Sequence, residues 1–434
     1  MTVRAVRSGR WFAWAVLIAF FTAFGPAAAA AETEVRGTVA YRLGYGYDAE
    51  ELVENSLSLD LSVQRRLGFS GKLYVGFEGR IPFTDEEAEL NVGEAYADLY
   101  VGATDWRIGR QVISWGTADG FNPTNVINPR GTLTPAALTL AGGALDGEPV
   151  LALQASYYLA SGGSLTAVAV GEFVPAEGAD EMLAAAAGRL SAGLGGLPVE
   201  VAGPDPVPAD GSQVEWAVRA EGLLGNHNVY VSYFRGWDDY PAAWLEWGPH
   251  PLDPAGFVPS KIAASYRRVH KFGVATAGTL KDAGVWTELS YTVFDELEEL
   301  DGAGALSSNA GYAELVAGAD YTFANGLMLS GQVIYSGGGS LLSPYKDPFG
   351  DVEPQTYFAG IARYSPEPGH DFEGILLANA GDGGVIAAGR YTYDIRQAAK
   401  LILGISRVFS GAGSEFHPLK SMANLISAGV ELHF

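Results

Sequence analysis

Apolar and polar residues alternate with period two along most of the chain, and that pattern sets the first expectation. In residues 55–67, NSLSLDLSVQRRL, one face carries Leu57, Leu59, Leu61 and Val63, and the other carries Ser56, Ser58, Asp60, Ser62 and Gln64. After the turn GFSG, the run KLYVGFEGRI puts Leu73, Val75, Phe77 and Ile81 on one side and Lys72, Tyr74, Glu78 and Arg80 on the other. Strands divided in this way build either a half-exposed antiparallel sheet or a membrane barrel around a wet lumen.

The same template predicts about 18 strands, with 16 as the alternative count, centred near residues 40, 61, 76, 97, 110, 154, 169, 218, 232, 273, 290, 317, 332, 360, 375, 390, 403 and 429. Links from odd to even strands include the long ones, 82–90, 115–146, 174–212, 237–262, 297–309, 337–353 and 410–421. Links from even to odd strands are tight: GFSG, GATD, ASGG, LGNHN, LKDAG, ANG and SPEPG. An even strand count, with short turns at one end and long loops at the other, predicts an all-β, transmembrane antiparallel barrel of the bacterial outer-membrane kind. Aromatic residues gather at the predicted strand ends, as in Tyr41, Tyr45 and Tyr47 or Tyr230, Tyr233 and Trp237, where a bilayer interface takes amphipathic rings.

The N-terminus adds the compartment. Arg4, Arg7 and Arg10 precede an apolar run from Trp11 to Phe24, and small residues follow up to Ala31, the layout of a cleavable signal peptide over residues 1–31. Residues 32–434 then form the barrel as one domain. Without the three arginines of the leader the net charge moves from −23 to −26, a surface that excludes nucleic acid as a partner. Cysteine is absent, which removes disulfides, thiolate metal sites and cysteine catalysis. The histidines at 227, 250, 270, 370, 417 and 433 form no ligand pair, and no Gly-x-Ser-x-Gly elbow occurs, so no metal, cofactor or enzymatic role is expected. Acidic runs at 85–89, 295–301 and around Asp48, Glu50, Glu51 and Glu54 read as solvated loop charge, the alternative being cations bridged to lipopolysaccharide.

Parity assigns lumen charges. Arg36, Arg42, Lys72, Arg80, Arg107, Arg219, Arg363, Arg390 and Lys400 are expected to point inward, against Asp60, Glu78, Glu94, Asp98, Glu215, Glu221, Glu314, Asp320, Asp394 and Glu431. These nearly cancel, so the wall is wet without a decided sign. Among them Arg80, Glu94, Asp98, Arg107, Glu215 and Arg219 are the main lumen-lining candidates.

One stretch departs from the alternation. Residues 109–130, GRQVISWGTADGFNPTNVINPR, start as a strand and pass into a loop stiffened by Pro123 and Pro129, with Asn122, Asn125 and Asn128 suited to capping freed backbone groups. It resembles a motif of large porin-like outer-membrane barrels, in which a Gly-Arg/Lys-Gln strand ends in Trp-Gly and leads to an Asp and an Asn-Pro loop. The matching residues are Gly109, Arg110, Gln111, Trp115, Gly116, Asp119, Asn128, Pro129 and Arg130. In porins the loop after the fifth strand folds inward, so the resemblance implies a constriction lined by Arg110, Gln111, Trp115, Asp119 and Arg130. The other reading, a structural lid pinned by Trp115 and the prolines, stands beside it. Arg107 and Arg110 have opposite parity, which requires a bulge or places one of them at the rim.

Residues 179–194, ADEMLAAAAGRLSAGL, favour a short helix, placed either in the barrel or over it. The last strand, ending in Phe434 with Ile426, Ala428, Val430 and Leu432 on its face, resembles the signal read by the barrel assembly machinery. The expected partners are therefore that machinery, outer-membrane lipids and lipopolysaccharide, and the wall is compatible with a homo-oligomer. The expected role is a porin-like channel for small polar or amphiphilic solutes. Its alternatives are an exporter or a lipid and hydrophobe transporter working with periplasmic partners, or a closed structural barrel.

Overall fold

The computed structural model describes residues 33–83, 88–129, 147–208, 210–250, 253–302, 304–342, 345 and 353–434. Arg130, the rest of its loop to 146, and residues 1–32, which include the expected signal peptide, lie outside them.

Eighteen antiparallel strands close into one barrel. The first seven are β1 (Thr33–Gly46), β2 (Glu51–Arg66), β3 (Gly71–Pro82), β4 (Glu89–Val101), β5 (Thr104–Gln111), β6 (Val150–Tyr158) and β7 (Ser164–Val170). A short strand β8 (Glu200–Val201) lies outside the wall, which resumes with β9 (Glu215–Leu224) and β10 (His227–Trp237). A hairpin, β11 (Ala242–His250) and β12 (Asp253–Ser265), again stands apart. The wall continues through β13 (Arg268–Leu280), β14 (Ala283–Phe294), β15 (Tyr312–Thr322), β16 (Met328–Ser336) and β17 (Gln355–Glu367). It ends with β18 (His370–Asn379), β19 (Val385–Arg396), β20 (Ala399–Phe409) and β21 (Leu425–His433). Closure is made by β21 on β1, from Thr38 opposite His433 to Gly46 opposite Leu425. Every predicted strand centre falls inside one of these eighteen.

Closure matters physically because an open edge would leave unpaired N–H and C=O groups, which a bilayer does not tolerate. The short turns are made by left-handed residues such as Gly68 (φ 63°) and Gly102 (φ 62°), where a side chain would strain the backbone. The outward face exposes Val218, Val231, Phe272, Val274, Leu289, Val333, Phe358, Ile405 and Ile426. Such a continuous apolar belt is what lipid covers.

At the long-loop end a second small core appears. Helix α1 (Ala179–Gly193) confirms the helical expectation for that loop and packs Leu183, Ala186, Ala187 and Leu190 with Leu245, Ile262, Leu306 and Tyr345. Its neighbours are β8 and β12, which pair in parallel at Lys261–Glu200 and Ile262–Val201, so the helix belongs to a cap of loops rather than to the wall. The hairpin β11–β12 was not legible as strands. Prolines at 241, 249, 251, 254 and 259 break its alternation, and two register shifts break its pairing.

Candidate functional site

The segment after β5 enters the barrel. Its first turn is tied down by its own asparagines: Asn128 Oδ1 accepts from Ile113 N at 2.7 Å, and Asn128 Nδ2 donates to Gln111 O at 3.1 Å and Glu148 O at 2.7 Å. Asn125 Oδ1 accepts from Trp115 N at 3.3 Å, and Asn122 Oδ1 from Ala118 N at 2.8 Å. The asparagines thus cap the loop as their spacing suggested.

The loop root then packs on the inner wall. Ile113, Trp115, Val126 and Ile127 form one buried cluster with Val150, Ala152, Val168, Val170, Ala217, Phe234, Val269 and Phe294, which are the inward residues of β6, β7, β9, β10, β13 and β14. Burying each large apolar side chain contributes roughly 1.5–3 kcal/mol, enough to outweigh the ordering of so short a segment.

The tip reaches the far wall. Glu288, on β14 and with 0% of its surface exposed, takes hydrogen bonds from five donors of the loop. Thr117 N, Thr117 Oγ1 (3.0 Å) and Ala118 N (2.8 Å) donate to its Oε1, and Thr124 N (3.1 Å) and Thr124 Oγ1 (2.8 Å) donate to its Oε2. Beyond it, Ser330 Oγ donates to Asp119 Oδ2 at 3.0 Å and Gln332 Nε2 donates to Asp119 O at 2.6 Å, both from β16. Around the ring β5 is the fifth strand, β14 the eleventh and β16 the thirteenth, so the loop spans most of the bore. Ala118 and Phe121 extend the contact onto a second buried cluster, formed by Trp286, Val316, Ile334, Tyr357, Ile386 and Val408.

The predicted constriction residues divide accordingly. Asp119 sits at the tip against β16. Arg110 reaches Glu148 at 3.7 Å and Glu172 at 3.9 Å, on the loop side of the wall. Gln111 and Trp115 do not line an opening, and the structure corrects that expectation: Gln111 is fully buried and donates to Ala152 O at 2.9 Å, and Trp115 is buried beneath the Arg219 guanidinium, 5.1 Å from its ring. Their apolar or amide surface is worth more in the loop root than in water. Arg130 lies outside the described residues. The register of β5 runs unbroken from Arg107 to Arg110, so the two keep opposite parity and Arg110 stands at the end of the strand; Gly109 between them has a φ of +136°, open only to glycine. A Cβ there would overlap the Ala95 carbonyl oxygen.

The remaining lumen charges form ladders across neighbouring strands. Asp98 holds Arg107 at 2.6 Å and Lys72 at 3.4 Å, Arg42 meets Glu431 at 3.3 Å, and Glu373 takes both Arg363 (2.6 Å) and Arg390 (2.7 Å). Glu94 Oε1 accepts from Val112 N at 2.8 Å, so this lumen carboxylate holds the loop entrance. Glu215 is buried and accepts from Trp237 N at 2.7 Å, a strand-end brace rather than a free lumen charge. Arg219 lies between Trp115 and Tyr230, 5.1 and 5.2 Å from their rings. Arg80 stands opposite Ser58 on the inward face. A cavity of about 350 Å³ beside β1–β4 is lined by Arg36, Thr38, Asp60, Tyr74, Glu78 and Glu94.

Two features escaped the sequence. Glu288, the most connected carboxylate of the lumen, was detectable as the one charged inward residue in TELSYTV, since Leu289, Tyr291 and Val293 point out. The apolar inner arc of β14–β20 also contradicts the expectation of mostly polar inward faces, because loops rather than water cover it.

No family model matches this chain, and no curated protein matches it by sequence. Solved structures do. Over 93% of this chain and 97% of its own, Pseudomonas aeruginosa OccK5 (OpdH) superposes with a TM-score of 0.51 at 9% identity. The fold is that of an outer-membrane porin. Two further outer-membrane proteins align more loosely, a Rh. blastica porin mutant (TM-score 0.40, 12% identity) and the Vibrio cholerae outer-membrane protein OmpT (TM-score 0.39, 10% identity), each over 93% of this chain and 100% of its own.

Proposed function

We propose that this barrel is an outer-membrane channel that passes small polar or amphiphilic solutes by diffusion, narrowed by the loop that follows β5. The observation that carries the reading is the Glu288 clasp. A loop held across the bore by five hydrogen bonds to one buried carboxylate is a fixed obstruction, and a fixed obstruction sets a size limit. The paired lumen charges keep the remaining path wet while giving it no overall sign, so selection acts through bore and local ion pairs. The test is single-channel conductance of the mature protein in a planar bilayer, beside a variant in which residues 117–125 are replaced by a shorter Gly-Ser link. A conductance that rises in the variant supports the reading.

The second reading, a barrel closed by its loops, is favoured by the inner-wall residues Val269, Val316 and Tyr357, each with no exposed surface. Absence of conductance in both proteins would select it.

A further inference from the structure

The outward face carries few charges at the level of the bilayer, and two of them stand together. On β10, Tyr233, Arg235 and Trp237 share the outward parity of the exposed Val231, while Phe234 and Gly236 are buried. Arg235 lies opposite Trp216 of β9 and His270 of β13, and Trp237 lies opposite Arg268. Strand pairing therefore gathers two guanidinium groups within one aromatic patch. Tyr233 is 5.1 Å from both the Trp216 and Phe272 rings, and its hydroxyl meets His270 Nδ1 at 2.7 Å.

The two arginines are held differently. Arg268 stacks over Trp237 at 4.3 Å and donates to the carbonyls of Ser212 and Val214, so its side chain is fixed. Among the described residues Arg235 makes no ion pair within 4.0 Å, and its charge repels that of Arg268. Of the carboxylates nearby, Asp295 is turned to His270 Nε2 at 3.6 Å, and Glu215 is buried on the inward side against Trp237 N. An unneutralised cation beside a second cation is unfavourable at an apolar surface unless an anion completes it.

Its height identifies the anion. Arg235 lies eight residues from the short-turn end of β10. At ~3.3 Å per residue and a tilt of ~40° that is about 20 Å along the membrane normal, the upper part of an apolar band of ~25 Å, within reach of its edge for a long arginine side chain. Below it, Val218, Val231, Phe272 and Val274 present a continuous apolar surface. A cationic pair above a greasy strip matches a molecule with a phosphate at the headgroup and acyl chains beneath.

We propose that Arg235 and Arg268, framed by Trp216, Tyr233 and Trp237, bind the phosphate of an outer-leaflet lipid, with its acyl chains lying on Val231, Phe272 and Val274. The site rests on the outer-membrane placement above and does not depend on whether the lumen conducts. Guanidinium groups take phosphate oxygens in a fork, and the aromatic frame excludes water from that bond.

The experiment is native mass spectrometry of the detergent-solubilised mature barrel titrated with lipid A, with dephosphorylated lipid A, and with inorganic phosphate. Arg235→Gln is expected to weaken lipid A binding about tenfold, the loss of one charge-assisted contact. Arg235→Lys should retain most of it, and the dephosphorylated lipid should bind the parent as weakly as lipid A binds Arg235→Gln. Equal lipid A affinity in the parent and Arg235→Gln would overturn the site. Displacement of lipid A by millimolar inorganic phosphate would reassign it to a free anion, and a second copy of the chain bound in place of lipid would reassign it to an oligomer contact. Arg235→Gln should leave channel conductance unchanged, whereas an altered conductance would place Arg235 in the pore and end the proposal.

Discussion

Replacing Glu288 with leucine removes the clasp while leaving the barrel wall intact, since the strand pairings of β14 are made by its backbone. With the carboxylate gone, the N–H groups of Thr117 and Thr124 lose their acceptor, while Ala118 N keeps its bond to Asn122 Oδ1. Each unpaired donor costs about 1–3 kcal/mol, so keeping the loop in place would cost roughly 2–6 kcal/mol. The two threonine hydroxyls escape part of this by turning. Against that stand the two bonds to Asp119 from Ser330 and Gln332, together about 2–4.5 kcal/mol. The balance favours release of the tip, while the Trp115 cluster keeps the root in place. The expected result is a barrel that still shows heat-modifiable gel mobility, with a conductance above that of the parent and noisier. Glu288→Gln should fall between, because it keeps one acceptor oxygen and presents its amide to donors. A folded Glu288→Leu barrel whose conductance matched the parent would refute the reasoning, as the clasp would then have no part in setting the bore.

Three further outcomes follow from the same geometry. A cysteine-free chain makes a clean cross-linking background, and a Cβ at Gly273 would lie 3.5 Å from Thr124 Cβ, within disulfide range. Gly273→Cys with Thr124→Cys, in a Ser232→Gly background to relieve crowding, should oxidise to a bond visible by gel shift and lock the conductance until reduced. Gly109→Ala forces a side chain into φ +136° and onto the Ala95 carbonyl, so it should lower the urea midpoint by the equivalent of at least about 1–3 kcal/mol or stop assembly. The third concerns Glu415 in the loop before β21: burial pushes its carboxyl above the ordinary glutamate range, although hydrogen bonds from Tyr357 (2.7 Å) and Asn379 (2.8 Å) oppose the shift. With the folded pKa above the unfolded one, that carboxyl's contribution is complete below the ordinary glutamate pKa and is lost as pH rises through the folded value, so thermal stability should decline over that window and Glu415→Gln should flatten the decline.

The wall was legible because period-two alternation is imposed on every strand by the same two environments. Where a strand faces lipid on one side, as Leu289, Tyr291 and Val293 do, the pattern survives whatever covers the other side. The interior was less legible because parity separates lipid from not-lipid and does not distinguish water from protein. Asp98, Arg107 and Arg80 face inward, and so do Val316, Ile334 and Tyr357, but nothing in the sequence says that loops bury the second set. The loop after β5 announced its stiffness through Pro123 and Pro129 and its capping through three asparagines, yet its destination depends on Glu288 and Asp119 meeting partners more than 160 residues away. Spacing along the chain carries no trace of such a contact. Gln111 and Trp115 were misplaced for a related reason: a Gln and a Trp at a strand end suit a pore lining and a loop root equally well by composition, and only burial separates the two.

Strand number and bore are thereby uncoupled in this barrel. An 18-strand cylinder fixes the outer diameter, but the path through it is what remains after the loops have packed on an apolar inner arc from β6 to β20. The charged ladders lie on β1, β3–β5 and β21 and at the short-turn ends of β17–β19. On the proposed channel reading, a solute crossing the barrel meets paired ions along one side of its path and protein packing on the other. Asp98 and Glu373 each hold two cations, so exchanging one of these carboxylates leaves both cations unpaired and changes the field in the lumen, whereas exchanging an apolar contact changes the width. On that reading, selectivity for charge and for size would be written in different strands, each open to alteration without the other.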